Sequence, residues 1–204
     1  SPIFNDIAKS KNSEIIFADH YIYDNYDSDL KGNYQKKNIK TVLKSIEILK
    51  HLDYKINDSH IKTGLNNVSN NTGLQGRWQV IQRKPMIICD TAHNEAALGE
   101  VISQLMDMEY SDLHFIIGFS NDKNLKKISK IFPEDSKYYF VQSKVGRARD
   151  AKEVRDIFKL NNRCGDYYKS IENTIKYVKG VSKENDIIFI GGSTFVVSEI
   201  FDKN

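Results

Sequence analysis

The sequence has few of the residues that mark disulfide-bonded or metal-binding proteins. Its 204 residues include two cysteines, three prolines and one tryptophan. Cys89 and Cys164 do not have the spacing of a zinc site or a redox pair, and two cysteines make no disulfide framework. No histidines or cysteines recur at metal-ligand spacing, so we predict no metal site within this chain.

Long apolar runs and an excess of charge of one sign are also missing. No stretch is long enough to span a membrane, and the start lacks a basic segment followed by a long apolar one. Thirty basic and 27 acidic side chains give a net charge of +3, which does not indicate a nucleic-acid-binding face. We therefore expect a cytoplasmic protein with neither a nucleic-acid nor a membrane partner.

Three catalytic motifs are absent. The sequence contains no G-x-x-x-x-G-K-[ST] phosphate loop, no G-x-G-x-x-G and no G-x-S-x-G. By itself, the chain has no obvious place to hold a triphosphate and its magnesium ion.

From residue 78 onward, short apolar runs alternate with amphipathic stretches. Such alternation predicts an α/β fold: a Rossmann-like, mostly parallel sheet flanked by helices. The predicted strands are 78–82, 86–89, 113–117, 138–141, 167–168 and 187–190, and the predicted helices are 95–108, 125–131, 151–160, 171–181 and 194–201.

The first third of the chain has a different pattern. It predicts a helix over 2–9, a buried strand over 15–18, short strands or loops over 21–34 and an amphipathic helix over 35–52. Residues 66–76 are rich in Asn, Ser and Gly, which is typical of a linker. We therefore predict one domain over 1–65, a linker over 66–76 and a second domain over 77–204.

Polar side chains gather where the predicted strands end. In a parallel sheet, the loops 90–94, 118–123, 143–150 and 191–194 share the carboxyl edge, where ligands bind. Asp90, at the end of an apolar strand, is either a cap for the next helix or a ribose-binding carboxylate. His93 alone would be an ordinary packed or surface histidine, but beside Asp90 and Asn94 it is a candidate catalytic residue.

Two further features lie at or near this edge. Gly191-Gly192-Ser193-Thr194 joins a strand to a helix, and it is either a tight capped turn or an anion site built from helix N–H groups. Arg77, just after the predicted linker, is able to bind a phosphate with two parallel hydrogen bonds. Arg147 and Arg149 fall in another edge loop, for which a solvated loop is the simpler interpretation.

Four segments, in order and spacing, resemble the folylpolyglutamate synthase/dihydrofolate synthase family of the Mur ligase superfamily. They are Gly-Arg-Trp-Gln-Val-Ile at 76–81, Pro-Met-Ile-Ile-Cys-Asp-Thr-Ala-His-Asn at 85–94, Ile-Gly-Phe-Ser-Asn-Asp-Lys at 117–123 and Gly-Gly-Ser-Thr-Phe at 191–195. Residues 32–38 also resemble the segment that opens the last long helix of the family's ATPase domain.

The resemblance implies an ATP-dependent ligase that adds L-glutamate to dihydropteroate or to folate and folylpolyglutamate through an acyl phosphate. It places Asn38, Arg77 and Asp90 against ATP, with Arg77 near the phosphates and Asp90 on the ribose. His93 and Ser193 match positions associated with glutamate and the reacting end, and Asn94 matches a structural cap. The family often has proline where this chain has Gly146, so no role is carried over to Arg147.

The family's phosphate loop and magnesium ligands have no counterpart in this chain. We therefore expect the chain to be the C-terminal portion of such a ligase: a monomer whose first 65 residues end the ATPase domain, inactive alone because ATP and magnesium are held elsewhere. Two alternatives stay open, a Mur-type peptidoglycan ligase fragment and a non-catalytic Rossmann-like binding module.

Overall fold

The structure, a computed structural model, describes residues 2–23 and 26–201. The chain divides into two compact units, one comprising Ser1–Asp29 and Tyr34–Val68 and the other Leu30–Asn33 and Ser69–Asn204. The helices are α1 (Pro2–Ser10), α2 (Gln35–His51), α3 (Asp58–Asn66), α4 (Val68–Thr72), α5 (Glu95–Met106), α6 (Leu125–Ile128), α7 (Ala151–Lys159), α8 (Ile171–Val181) and α9 (Thr194–Phe201). The strands are β1 (Gln79–Arg83), β2 (Met86–Cys89), β3 (Leu113–Ile117), β4 (Lys137–Val141), β5 (Gly165–Tyr168) and β6 (Ile187–Gly191).

The first unit is helical where it is described. Its small core joins Leu43 of α2 to Ile61 and Leu65 of α3. Asn57 caps α3, because its side chain accepts a hydrogen bond from the backbone N–H of His60 at 2.9 Å. Packing between α2 and α3 therefore holds this unit together.

The second unit contains a six-stranded sheet in the order β1-β2-β6-β3-β4-β5. β1 pairs with β2 antiparallel, and the remaining neighbours are parallel. The central strands β3 and β6 are buried along their whole length, as expected for a sheet covered on both faces. The predicted mostly parallel α/β sheet is confirmed.

The two faces of the sheet have different cores. One is aromatic, with Phe115 of β3 packing against Phe132, Tyr138 and Phe189 at centroid distances of 5.2–5.8 Å. The other is aliphatic, and there α8 and α9 pack on the sheet through residues that include Ile171, Val178, Val196 and Val197. Alternate residues of each strand point to opposite faces of the sheet. A shift of one residue in strand pairing would move every side chain to the wrong face, so the two different cores fix the register.

The strand predicted at 15–18 is wrong. Residues 13–17 have no regular structure and Ala18–His20 is a short 3₁₀ helix. An isolated extended segment leaves its backbone groups unpaired, and the described part of the first unit offers no strand beside it. Residues 21–23 and 26–34 form loops and turns, while 24 and 25 in the same predicted stretch lie outside the described residues.

Two helices of the structure were not predicted. α3 lies between the long helix and the predicted linker, and α4 lies inside the linker segment 66–76. Within the described residues, no helix combines the length and the apolar character that crossing a membrane would need.

Candidate functional site

The ends of three neighbouring strands form the candidate site. β2, β6 and β3 lie side by side and end at Cys89, Gly191 and Ile117. Hydrogen bonds continue past the strands, from the N–H of Asp90 to the carbonyl of Ile190 at 3.2 Å and from the N–H of Gly118 to the carbonyl of Gly191 at 3.3 Å. The predicted loops after these strands therefore meet at one edge of the sheet.

The Asp90 carboxylate accepts hydrogen bonds from main-chain groups that come before and after it in the sequence. One carboxylate oxygen accepts the N–H of Trp78 at 2.7 Å and the other accepts the N–H of Ala92 at 2.8 Å. Only 2% of the residue is exposed. The carboxylate therefore fixes the turn after β2 and ties the segment before β1 to it. The prediction that Asp90 also contacts a ribose stays a prediction.

The segment Gly76-Arg77-Trp78 is strained and firmly held. Trp78 has a φ of 46°, which is uncommon for a large side chain, and Gly76 has a φ of 69°. A Cβ at Gly76 would lie 2.7 Å from Val197 Cγ1, and the Gly76 carbonyl accepts the N–H of Thr91 at 2.9 Å. These contacts fix the backbone of Arg77 beside the Asp90 turn, consistent with strain held in place at a functional site.

His93 and Asn94 end the turn after β2 and have different roles. His93 is exposed, and its Nδ1 lies 3.0 Å from the carbonyl of Thr91. A carbonyl only accepts, so this bond requires the proton on Nδ1 and makes Nε2 of the neutral ring an acceptor. Asn94 caps α5 by accepting the N–H of Ala97 at 2.9 Å. The expected structural cap is confirmed.

The Gly-Gly-Ser-Thr segment forms a tight capped turn, and its interpretation as an anion site stays a prediction. Gly192 has a φ of 84°, and a Cβ there would lie 2.8 Å from the Gly118 carbonyl, so close packing requires glycine. Ser193 is 4% exposed, and its hydroxyl oxygen accepts the N–H of Phe195 at 3.2 Å. The turn thus caps α9 and also places the start of that helix at the carboxyl edge, where its N–H groups favour an anion.

The loop 143–150, which contains Arg147 and Arg149, makes backbone hydrogen bonds that the sequence did not predict. Its backbone pairs with the loop after β3, through Asn121 N–H to the Arg147 carbonyl at 3.0 Å and Arg149 N–H to the Phe119 carbonyl at 2.8 Å. The Arg147 guanidinium lies 4.4 Å from the centroid of the Phe195 ring, two residues after Ser193. An exposed arginine is therefore stacked beside the Gly-Gly-Ser-Thr turn.

The structure brings Arg77, Asp90, His93 and Ser193 to one edge and adds Arg147 to them. Asn38 belongs to the first unit, where it is exposed on α2 and donates to the Gln35 side chain at 2.8 Å. The sequence signal that pointed to Arg147 was its position in an edge loop. Phe195 belongs to the segment 191–195 that resembles the family, but the sequence did not indicate its contact with Arg147.

Cys89 lies just before this turn and is no candidate nucleophile. It is completely buried in the aliphatic core, and burial raises the pKa of its thiol to about 12. At neutral pH the thiol stays protonated and inert, as predicted for a small buried residue.

Comparisons with known proteins identify the family of the chain. Residues 76–194 match the family model described as "Mur ligase, glutamate ligase domain". The Dihydrofolate synthase/folylpolyglutamate synthase of Bacillus subtilis (strain 168) is 24% identical over 203 residues, which are 97% of this chain and 46% of that protein. The chain thus spans less than half the length of this curated relative.

Solved structures show the same fold. Mycobacterium tuberculosis folylpolyglutamate synthase complexed with ADP superposes with a TM-score of 0.73 at 16% identity, covering 87% of this chain and 42% of that one. A bifunctional folylpolyglutamate synthase/dihydrofolate synthase with Mn, AMPPNP and L-glutamate bound gives 0.69 at 18% identity, covering 86% and 39%. With a family model that matches more than half of its residues, the chain belongs to the Mur ligase family and contains that family's glutamate ligase domain.

Proposed function

We propose that this chain supplies the amino-acid side of an ATP-dependent ligase that joins L-glutamate to dihydropteroate or to folate and folylpolyglutamate. The observation that carries the proposal is the convergence of Arg77, His93, Ser193 and Arg147 on the carboxyl edge of a glutamate ligase domain. The names of the relatives and the ligands of the similar structures support this choice of substrates.

Charge at this edge suits anionic substrates. Arg77 and Arg147 bring two guanidinium groups, and the start of α9 adds N–H groups. The Asp90 carboxylate is already engaged by two main-chain N–H groups. We assign Arg77 to the phosphates of ATP and Arg147, with the Ser193 turn, to a carboxylate of the incoming glutamate.

His93 suits the reacting end of glutamate. Because Nδ1 donates to the Thr91 carbonyl, Nε2 is the atom that accepts a hydrogen bond from the glutamate ammonium group or takes its proton. ATP would convert the folate-type carboxylate to an acyl phosphate with release of ADP. The amine would then attack the acyl carbon, form the amide bond, release phosphate and lose one proton.

ATP and magnesium need partners that this edge does not offer. Within the described residues, the three-residue group able to hold a metal is Asp112, His114 and Asp186, which lies at the opposite edge of the sheet. We therefore assign no magnesium ligand to the site. We expect the phosphate loop and the metal ligands on an ATPase domain whose motifs this sequence does not contain. An acyl phosphate formed there and brought to the carboxyl edge would meet the amine of the bound glutamate.

NMR of the ¹⁵N-labelled chain tests this assignment directly. L-Glutamate should shift the amide signals of residues 92–94, 147 and 192–195, and ADP those of 76–78. L-Lysine serves as the matched control, since it keeps the α-amino acid group and reverses the side-chain charge. Shifts confined to other surfaces, or equal shifts with both amino acids, would contradict the proposal.

A further inference from the structure

A second polar cluster lies at the amino edge of the sheet, away from the candidate site. It comprises Asp112 just before β3, His114 on β3, Tyr139 on β4, and Ser182 and Asp186 between α8 and β6. His114 is completely buried and Asp186 is 1% exposed. None of these residues has a role in the proposed ligase chemistry, so their burial needs a separate explanation.

Hydrogen bonds fix the state of the His114 ring. Nε2 lies 3.2 Å from the carboxylate of Asp186, and Nδ1 lies 3.2 Å from the hydroxyl of Tyr139. A carboxylate only accepts, so Nε2 carries the proton and Nδ1 of the neutral ring accepts the hydroxyl hydrogen of Tyr139. A buried ring with both nitrogens occupied has one favoured tautomer.

Asp186 connects this ring to the main chain. Its Oδ1 accepts the N–H of Asp112 at 3.1 Å, and its Oδ2 accepts the N–H of Lys183 at 2.7 Å in addition to His114. The carboxylate therefore joins the segment that enters β3 to the loop that enters β6. Through His114, the same connection reaches Tyr139 on β4.

We propose that His114 is an acid-sensitive lock on the amino edge of the sheet. In its neutral form the ring links β3, β4 and the loop before β6. A second proton, taken from solvent onto Nδ1, would remove the acceptor for the Tyr139 hydroxyl and place a positive charge on a completely buried ring. Acid therefore loosens this edge at a pH where the carboxylates of the chain are still ionised.

The charges around His114 do not cancel the cost of burial. It faces Asp186 from the loop before β6, Asp112 from the position just before β3 and Lys137 from β4, and the Ser182 hydroxyl after α8 lies 3.5 Å from Nε2. The Lys137 ammonium lies 2.9 Å from Asp112, so it offsets that carboxylate. Desolvation by burial is the larger effect and lowers the pKa of His114 below its ordinary value of 6.5.

A metal ion is the other ligand that this cluster suggests. The ligand atoms of Asp112, His114 and Asp186 lie within 4.8 Å of one another. However, Lys137 is paired with Asp112, and the Asp186 carboxylate already accepts three N–H donors. A cation would have to displace these bonds and lie beside an ammonium group, so the hydrogen-bonded lock fits the cluster better.

His114 changes the stability of the folded chain over a pH range of its own. The unfolded chain protonates His114 below about pH 6.5 and the folded chain only at lower pH, so stability falls as the pH drops from 6.5. The acids whose pKa is lowered by ion pairing, such as Asp112 and Glu184, add their loss only below their ordinary values of 3.8 and 4.5. Between about pH 4.5 and 6.5, His114 therefore dominates the acid response of the second unit.

Urea unfolding followed by Trp78 fluorescence measures this response. Trp78 is the chain's one tryptophan, is 6% exposed and lies in the second unit. Between pH 6.5 and 5, the unfolding equilibrium constant should rise by up to about tenfold per pH unit, the limit for one proton. His114→Gln should remove this rise, whatever its effect on stability at pH 7.5. His20→Gln is the control, because it also removes one histidine but at an exposed position, and it should leave the rise of the unfolding equilibrium constant unchanged.

Imidazole ¹⁵N NMR of the unaltered chain tests the lock even if His114→Gln fails to fold. We expect the Nε2–H tautomer of His114 and a titration below the ordinary histidine value of 6.5. Titration at or above the ordinary histidine value, a protonated Nδ1 at pH 7.5 or the same pH response in His114→Gln would each overturn the proposal. So would stoichiometric Zn²⁺ or Mn²⁺ binding that is lost in His114→Gln, because it would make the cluster a metal site.

Discussion

At the scale of the residue, Asp90 holds the main chain around the candidate site in position. Its two oxygens hold the N–H groups of Trp78 and Ala92 in a site with almost no solvent. The segment that presents Arg77 and the turn that presents His93 therefore depend on one carboxylate. The sequence indicated an important acid at this strand end, but not that its partner would be a main-chain N–H twelve residues earlier.

This gives a prediction for Asp90→Ala. Two buried N–H groups would lose their acceptor, each at about 1–3 kcal/mol, so the second unit should lose about 2–6 kcal/mol of stability. Urea unfolding by Trp78 fluorescence measures the loss. Asp156→Ala, which removes an exposed aspartate paired with Arg155, is the control and should change stability by less than about 0.5 kcal/mol. Equal, small effects of the two substitutions would contradict the role assigned to Asp90.

At the scale of the element, the turn Gly76-Arg77-Trp78 is the most constrained connection to the site. Gly76→Ala would put a side chain at a φ of 69° and within 2.7 Å of Val197. The left-handed conformation alone costs about 1–2 kcal/mol, so we expect a loss of at least about 2 kcal/mol.

Gly180→Ala is the matched control for this turn. Gly180 lies in α8, and a Cβ there would meet nothing within 4 Å. Alanine should therefore be neutral or stabilise the helix by up to about 1 kcal/mol. If Gly76→Ala were tolerated as well as Gly180→Ala, the strain assigned to the turn would be wrong.

Helices and strands with a clear hydrophobic pattern could be predicted from the sequence, whereas conformations set by contacts between distant residues could not. The runs that became β2, β3 and β6 were predicted because strands buried on both faces are apolar throughout. Ile15 to Ala18 has the same composition, but no strand lies beside it in the described part of the first unit, so composition alone was misleading. The φ of 46° at Trp78 depends on its bond to Asp90, which no local pattern contains.

The candidate site was predictable in outline for the same reason. Once the strands are parallel, their carboxyl ends place Asp90, His93 and Ser193 at one edge. The contact between Arg147 and Phe195 was not predictable, because it depends on how the loop after β4 pairs with the loop after β3.

At the scale of the whole molecule, the two edges of the sheet have different functions in our proposals. The carboxyl edge presents Arg77, His93, Ser193 and Arg147 to substrates, and the amino edge contains the His114 lock. β3 and β6 connect the two edges. The chain spans less than half of its Bacillus subtilis relative, and the proposed ligase activity needs a phosphate-binding part that its sequence does not show.

ATP-dependent attachment of L-glutamate to dihydropteroate or folate is the most direct measurement. It is made on this chain alone and on the chain fused to the portion of the Bacillus subtilis relative outside the match. We predict no product from the chain alone and product from the fusion. His93→Ala and Ser193→Ala should each reduce the fusion's rate at least about 100-fold, while Lys176→Ala, on the exposed face of α8, should leave it unchanged. Product from the chain alone would contradict the need for a separate phosphate-binding part. A fusion as active with His93→Ala and Ser193→Ala as without them would contradict the proposed function.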